Sequence, residues 1–153
     1  MNDICCIGHI TRDKIITPHH EAFISGGTAF YFSYAIARLP RKVSYQLVTK
    51  LGRFDVEEVK RMRAERIDVL AFTCDNSVFF ENRYEGDQNK RTQRVLSKCE
   101  PFKISEMNGV EAKVFHLGSL LNDDFSADFI RELSTRGRIS IDAQGFLREV
   151  RGQ

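Results

Sequence analysis

The sequence predicts an α/β fold: a mostly parallel sheet flanked by helices, carrying a small β-rich lid. The first sign is a set of short apolar runs that stop at a turn former, as at Ile4-Cys5-Cys6-Ile7 before Gly8. A run that is apolar at every position suits a strand covered on both faces, as a central parallel strand is. The second sign is alternation, because strand-like runs are followed by stretches with apolar residues at helical spacing. The third is a pair of β-rich stretches, residues 14–24 and 78–96, that interrupt the alternation.

Taken in order, Ile4–Ile7 is the first strand, and the glycine pair Gly26-Gly27 opens a helix marked by Phe30, Tyr34, Ile36 and Ala37, with Pro40 as its stop. Val43–Thr49 is the next strand. Gly52-Arg53-Phe54-Asp55 then leads into a helix marked by Val56, Val59 and Met62. Ile67–Phe72 is a further strand. Val78–Tyr84 and Arg91–Leu96, joined by the polar turn Glu85–Lys90, read as a hairpin. Lys113–Leu117 is a strand ending at Gly118. Asn122 and Asp123 are candidate caps for a helix with the stripe Phe125, Phe129, Ile130 and Leu133, closed by Gly137. Ile139-Ser140-Ile141 is the last strand, ending at Asp142. The two β-rich excursions together would make a small second sheet, an appendage of one domain spanning residues 1–153.

The chain's 153 residues, 42% hydrophobic and 29% charged, suit one globular domain with a core of its own. Lys and Arg total 23 against 21 Asp and Glu, a formal charge of +2. No long block of one sign supplies a footprint for a phosphate backbone, so nucleic acid is not expected as a partner. The longest apolar run, around Ala29–Ile36, is too short to span a bilayer, and no basic segment leads into an apolar stretch at the N-terminus. A cytoplasmic protein with no membrane partner is expected. Cys5 and Cys6 are adjacent on a strand and point to opposite faces, while Cys74 and Cys99 lack the paired spacing of a zinc site. Buried, reduced thiols are expected at all four. His19 and His20 are expected to be solvated in a turn.

In open parallel sheets, ligands bind outside the C-terminal strand ends. Three features sit there: Asp13 after the first strand, Gly26-Gly27 at the first helix, and Asp142 after the last strand. A carboxylate accepts hydrogen bonds from paired hydroxyls, and a glycine pair lets main-chain N–H groups approach a polar ligand. Together they suit polyol binding. Taken singly, Asp13 also fits a turn residue, Gly26-Gly27 a tight turn and Asp142 a loop cap. The residues after Gly8 contain no Gly-x-Gly-x-x-Gly, and no Gly-x4-Gly-Lys-Ser/Thr occurs, so nicotinamide and P-loop chemistry lose their support.

The combination resembles the PfkB carbohydrate kinases, the ribokinase-like group. Gly8-His9-Ile10-Thr11-Arg12-Asp13 is similar to that family's opening Gly-x-x-x-x-Asp, and Ser25-Gly26-Gly27-Thr28-Ala29 to its glycine pair. The stretch Val48–Asp55, with Gly52 and Asp55, resembles its x-x-x-Gly-x-Asp segment, residues 76–97 its lid hairpin, and His116–Leu120 and Ile141–Gly145 continue in register. The likeness spans nearly the whole chain and rests on order and spacing.

The resemblance implies an ATP- and Mg-dependent kinase that phosphorylates a hydroxyl of a sugar or nucleoside-like small molecule. Asp13 would grip substrate hydroxyls, Gly26 and Gly27 would offer main-chain contacts, and Phe80 would pack against the ligand under a closing lid. Tyr31 stands where the family often places Asn, Thr28 replaces the residue after the glycine pair, and Gly118 stands where some relatives supply an acid. These departures shift the expectation from ribose or fructose toward larger or more aromatic substrates. Family members continue with Asn-x-x-Glu and Gly-Ala-Gly-Asp segments, which serve magnesium, phosphate and the catalytic base, and neither follows the Ile139–Asp142 strand here. The chain is therefore read as a truncated, substrate-binding half, without kinase turnover of its own and without good ATP binding. A non-catalytic binding or oligomerisation module derived from the same fold is the alternative. Exposed lid edges and an uncovered sheet face predict homo-oligomers, formed through the lid.

Overall fold

The structure is a computed structural model that describes residues 1–152. Its elements run β1 (Asn2–Ile7), β2 (Thr11–Ile16), β3 (Glu21–Gly26), α1 (Thr28–Ala37), β4 (Tyr45–Gly52), α2 (Val56–Ala64) and β5 (Asp68–Cys74). They continue with β6 (Val78–Tyr84), β7 (Arg91–Ser97), β8 (Ala112–Leu117), α3 (Ala127–Ser134) and β9 (Arg138–Ile141). A five-stranded sheet has the order β5-β4-β1-β8-β9, and all of its pairings are parallel. β1 is its central strand, as the unbroken apolar run requires. The four-stranded second sheet has the order β3-β2-β6-β7.

Cys5 and Cys6 divide the two faces of the main sheet between them. Cys5 joins Phe115, Phe102, Phe125, Phe129 and Leu133 on the α3 side, and Cys6 joins Leu47, Ala29, Val59 and Met62 on the side of α1 and α2. Each large apolar side chain buried in this way contributes ~1.5–3 kcal/mol relative to exposure. Both thiols are free and buried, and burial pushes their pKa values upward.

Four expectations need correction. Cys74 and Cys99 are joined in a disulfide, with their Cα atoms 6.1 Å apart, because β5 and the segment after β7 meet at the base of the β6–β7 hairpin. Sequence spacing alone hides that meeting. α3 is capped by Ser126, whose hydroxyl accepts from the Phe129 N–H at 3.1 Å, and not by Asn122 or Asp123. On α1 the fully buried residues are the small Ala29 and Ser33 rather than the aromatic stripe. The helix start lies so close to the sheet that a Cβ on Gly8 would stand 2.9 Å from the Ala29 Cβ. Lastly, the lid strands begin earlier than residue 14, since Thr11 already pairs with Gly26 and Val78. Asp13 is thus a strand residue, facing Ile24 and Phe80 across the ladders. No helix among the described residues is long and apolar enough to cross a membrane.

Candidate functional site

A cleft of about 520 Å³ opens between the second sheet and the C-terminal ends of the main-sheet strands. Side chains alternate along a strand, so residues two apart share a face. The second sheet follows this rule and presents Thr11 and Asp13 from β2, Phe80 and Asn82 from β6, and Arg91 and Gln93 from β7. The opposite wall is the start of α1, with Gly27, Thr28 and Tyr31. Leu120 beyond β8, and Gln144 and Arg148 beyond β9, complete it.

Asp13 is half-buried, and its Oδ1 accepts a hydrogen bond from the Thr11 hydroxyl at 2.8 Å. Burial raises its pKa above the ordinary carboxylate value, and the Thr11 bond and the charges of Arg91 and Arg148 oppose that rise. Gly26 does not line the cleft. A Cβ there would stand 2.7 Å from Asp13 Oδ2, so its missing side chain makes room for the carboxylate. Gly27 is the N-cap of α1 with φ 97° and ψ 150°, backbone angles open essentially to glycine alone. It offers no side-chain acceptor to the first-turn amides, and of the residues that carry them Thr28 lines the cleft.

Asp142 stands behind the cleft wall rather than in it. Its Oδ2 accepts from the Thr28 hydroxyl at 2.7 Å and its Oδ1 from the Gln144 N–H at 2.9 Å, tying β9 to the start of α1. Tyr31 and Phe80 both line the cleft, Tyr31 largely exposed and Phe80 buried. Gly118 lies under α1, where a Cβ would approach the Ala29 amide to 3.3 Å, so it serves close packing.

Residue-by-residue reading of the sequence missed Thr11, Asn82, Gln93, Gln144, Arg91 and Arg148. For the strand residues the signal was present, since each lies two positions from another cleft residue. Arg148 follows the last recognisable strand and carried no such signal. The Gln93 side-chain amide donates to Asn82 Oδ1 at 2.8 Å, which holds both amides in place across the hairpin. The Arg148 guanidinium donates to Gln144 Oε1 at 2.9 Å and lies 5.8 Å from the Phe80 ring centre.

Mg²⁺ requires an octahedral set of oxygen ligands and is usually held by carboxylates together with substrate phosphates. The charged residues of the cleft are one carboxylate and two guanidiniums, and no cluster of three or more His, Cys, Asp or Glu suited to a metal occurs among the described residues. The described residues do not fit that ion.

No protein-family profile matches the sequence, and no curated protein does. Solved structures do match. One is a pyrophosphate-dependent kinase in the ribokinase family in a sulfate complex, with 26% identity and a TM-score of 0.82 over 97% of this chain and 52% of that one. A pyrophosphate-dependent kinase of the same family, complexed with a pyrophosphate analog and myo-inositol, shows 27% identity and a TM-score of 0.84 over 95% of this chain and 50% of that one. An uncharacterized sugar kinase from Pyrococcus horikoshii, also solved in complex with ATP, shares the fold at 17% identity and a TM-score of 0.71, over 95% of this chain and 55% of that one. The chain spans about half the length of these structures. With its parallel sheet, β-rich second sheet and intervening cleft, the chain has the ribokinase-like fold and is similar to kinases of the ribokinase family, over a stretch equal to about half of such a protein.

Proposed function

We propose that this chain is the substrate-binding half of a kinase that transfers phosphate to a hydroxyl of a polyol-like small molecule, and that the second sheet acts as its lid. The observation that carries the reading is the Asp13 carboxylate, set into the space left by Gly26 and facing the same cleft as Gly27. A carboxylate bordered by orphan main-chain N–H groups matches the alternating donors and acceptors of adjacent hydroxyls. Phe80 and Tyr31 supply apolar faces for the carbon skeleton, and lid closure would exclude water. The myo-inositol complex of a structural neighbour supports a ring polyol as the first ligand to try.

The phosphoryl donor, ATP or pyrophosphate as the neighbours suggest, would be held mainly by residues other than those described here, and so would any catalytic base. Calorimetric titration with myo-inositol, hexoses and nucleosides tests the substrate reading. A ring polyol is expected to bind, and Asp13→Asn to weaken it roughly ten- to hundredfold, the range for losing charge-assisted hydrogen bonds. Unchanged affinity in Asp13→Asn would remove the basis of the proposal. The chain alone is expected to give no product in a phosphoryl-transfer assay with either donor.

One observation favours association through the lid. β3 is an edge strand, and within it Phe23 is 53% exposed and Ile24 43% exposed. An edge of unpaired backbone groups beside exposed apolar side chains suits a second copy. Light scattering at rising concentration tests this, and a monomer throughout would count against it.

A further inference from the structure

Arg91 and Arg148 face one cleft from opposite sides, the first from β7 of the lid and the second from beyond β9. Among the described residues neither forms an ion pair, whereas their neighbours on the lid, Arg83 and Arg94, both lie within 4.0 Å of the Glu81 carboxylate. Asp13 is the one acid lining the cleft, and its Oδ1 already accepts the Thr11 hydroxyl. Asp142, outside the lining, is bonded to Thr28 and Gln144. The lining therefore carries one positive charge in excess, counted as two guanidiniums less one carboxylate. Burial and the charge of Arg91 depress the Arg148 pKa while Asp142 and Asp13 raise it, so Asp13 is the one cleft carboxylate set against two guanidiniums. The Gln144 bond and the Phe80 ring hold Arg148 in place, which gives an incoming oxyanion a fixed guanidinium to bind.

We propose that Arg91 and Arg148 form an anion subsite and that the substrate is an acidic polyol, one bearing a carboxylate or a phosphate monoester in addition to the hydroxyls gripped near Asp13. This rests on the polyol reading above and sharpens it. Guanidinium forks match carboxylate and phosphate oxygens equally well, so the chemistry shared by both acids is a planar or tetrahedral oxyanion. Closure of the lid would bring Arg91 toward that group, so the anion would also favour the closed form.

The test is calorimetry on the chain with matched pairs: myo-inositol against a myo-inositol monophosphate, and glucitol against gluconate, with inorganic phosphate and pyrophosphate as separate titrants. At least one acidic member is expected to bind roughly ten- to hundredfold more tightly than its neutral partner. Which pair shows the difference identifies phosphate or carboxylate as the acid. Arg91→Gln and Arg148→Gln are each expected to bring that ratio toward one, whereas Arg131→Gln on α3 leaves it unchanged. If neutral polyols bind as tightly as their acids, the anion subsite is overturned and the polyol reading stands. If inorganic phosphate or pyrophosphate alone matches the acidic polyol, the arginines serve the donor and the inference is likewise overturned. If nothing in the panel binds, both readings fall.

Discussion

Replacing Gly27 with alanine is the substitution that best separates a functional glycine from an incidental one. Gly27 sits at φ 97° and ψ 150°, and a Cβ there would lie 2.7 Å from the His9 carbonyl oxygen. An alanine in that backbone region is strained by ~1–3 kcal/mol. The contact adds to this, because the oxygen belongs to buried backbone between β1 and β2 and does not swing aside. A total of about 3 kcal/mol is expected, which for a chain of this size lowers Tm by about 6–12 °C. Gly86→Ala is the matched control. That residue also has a positive φ, 51°, but its Cβ would meet nothing within 4 Å. Its cost is expected to be only about 1 kcal/mol. Urea denaturation of both variants gives the stabilities, and titration with the best-binding polyol gives the functional effect, expected to be at least roughly tenfold for Gly27→Ala. If Gly27→Ala matches Gly86→Ala in both measurements, the Gly27 turn neither shapes the cleft nor fixes the α1 start.

Asp13→Asn is expected to lose ligand affinity without losing stability, since burial already penalises the charged form, and a thermal melt beside the titration checks the pair of results. His9 is fully buried, its ring nitrogens have no hydrogen-bond partner among the described residues, and an Asp124 carboxylate oxygen lies 3.7 Å away. Burial lowers its pKa from 6.5 to about 4, so the fold holds it neutral; stability is complete above pH 6.5 and falls by about 3 kcal/mol as pH drops to 4. Asp124, shifted upward by burial, offsets part of that loss, so the measurement is the difference in pH-dependent stability between the wild type and His9→Gln, whose slope in this window should be shallower. Reducing Cys74–Cys99, 25 residues apart, should cost about 3 kcal/mol and expose the β6–β7 hairpin to proteolysis. Counting reactive thiols in denaturant should give two before reduction and four after it, and four at the outset would refute the crosslink.

The fold was legible because its signals are local. An unbroken apolar run such as Ile4–Ile7 and a polar turn between β-rich runs report burial and hairpins without reference to distant residues. Asp13, Gly26 and Gly27 were legible as a group because strand ends and glycine pairs concentrate at ligand-binding rims. Their separate tasks were not. Whether Gly26 offers an amide or vacates space depends on β2–β3 register, which fixes Asp13 over it. Asp142 reads as a ligand because it follows a strand; that it bonds Thr28 and Gln144 behind the cleft wall is a contact that only tertiary placement reveals. The same holds for Cys74–Cys99 and for Arg148, each defined by a partner far away in sequence.

Backbone amide chemical shifts during a titration with myo-inositol probe the cleft most directly. Movement is predicted for Gly26, Gly27 and Thr28 on one wall and for Asn82 and Gln93, with their side-chain amides, on the other, saturating together. An unchanged spectrum at high ligand concentration, or shifts confined to the far side of the lid around Phe23 and Phe54, would contradict polyol binding at Asp13.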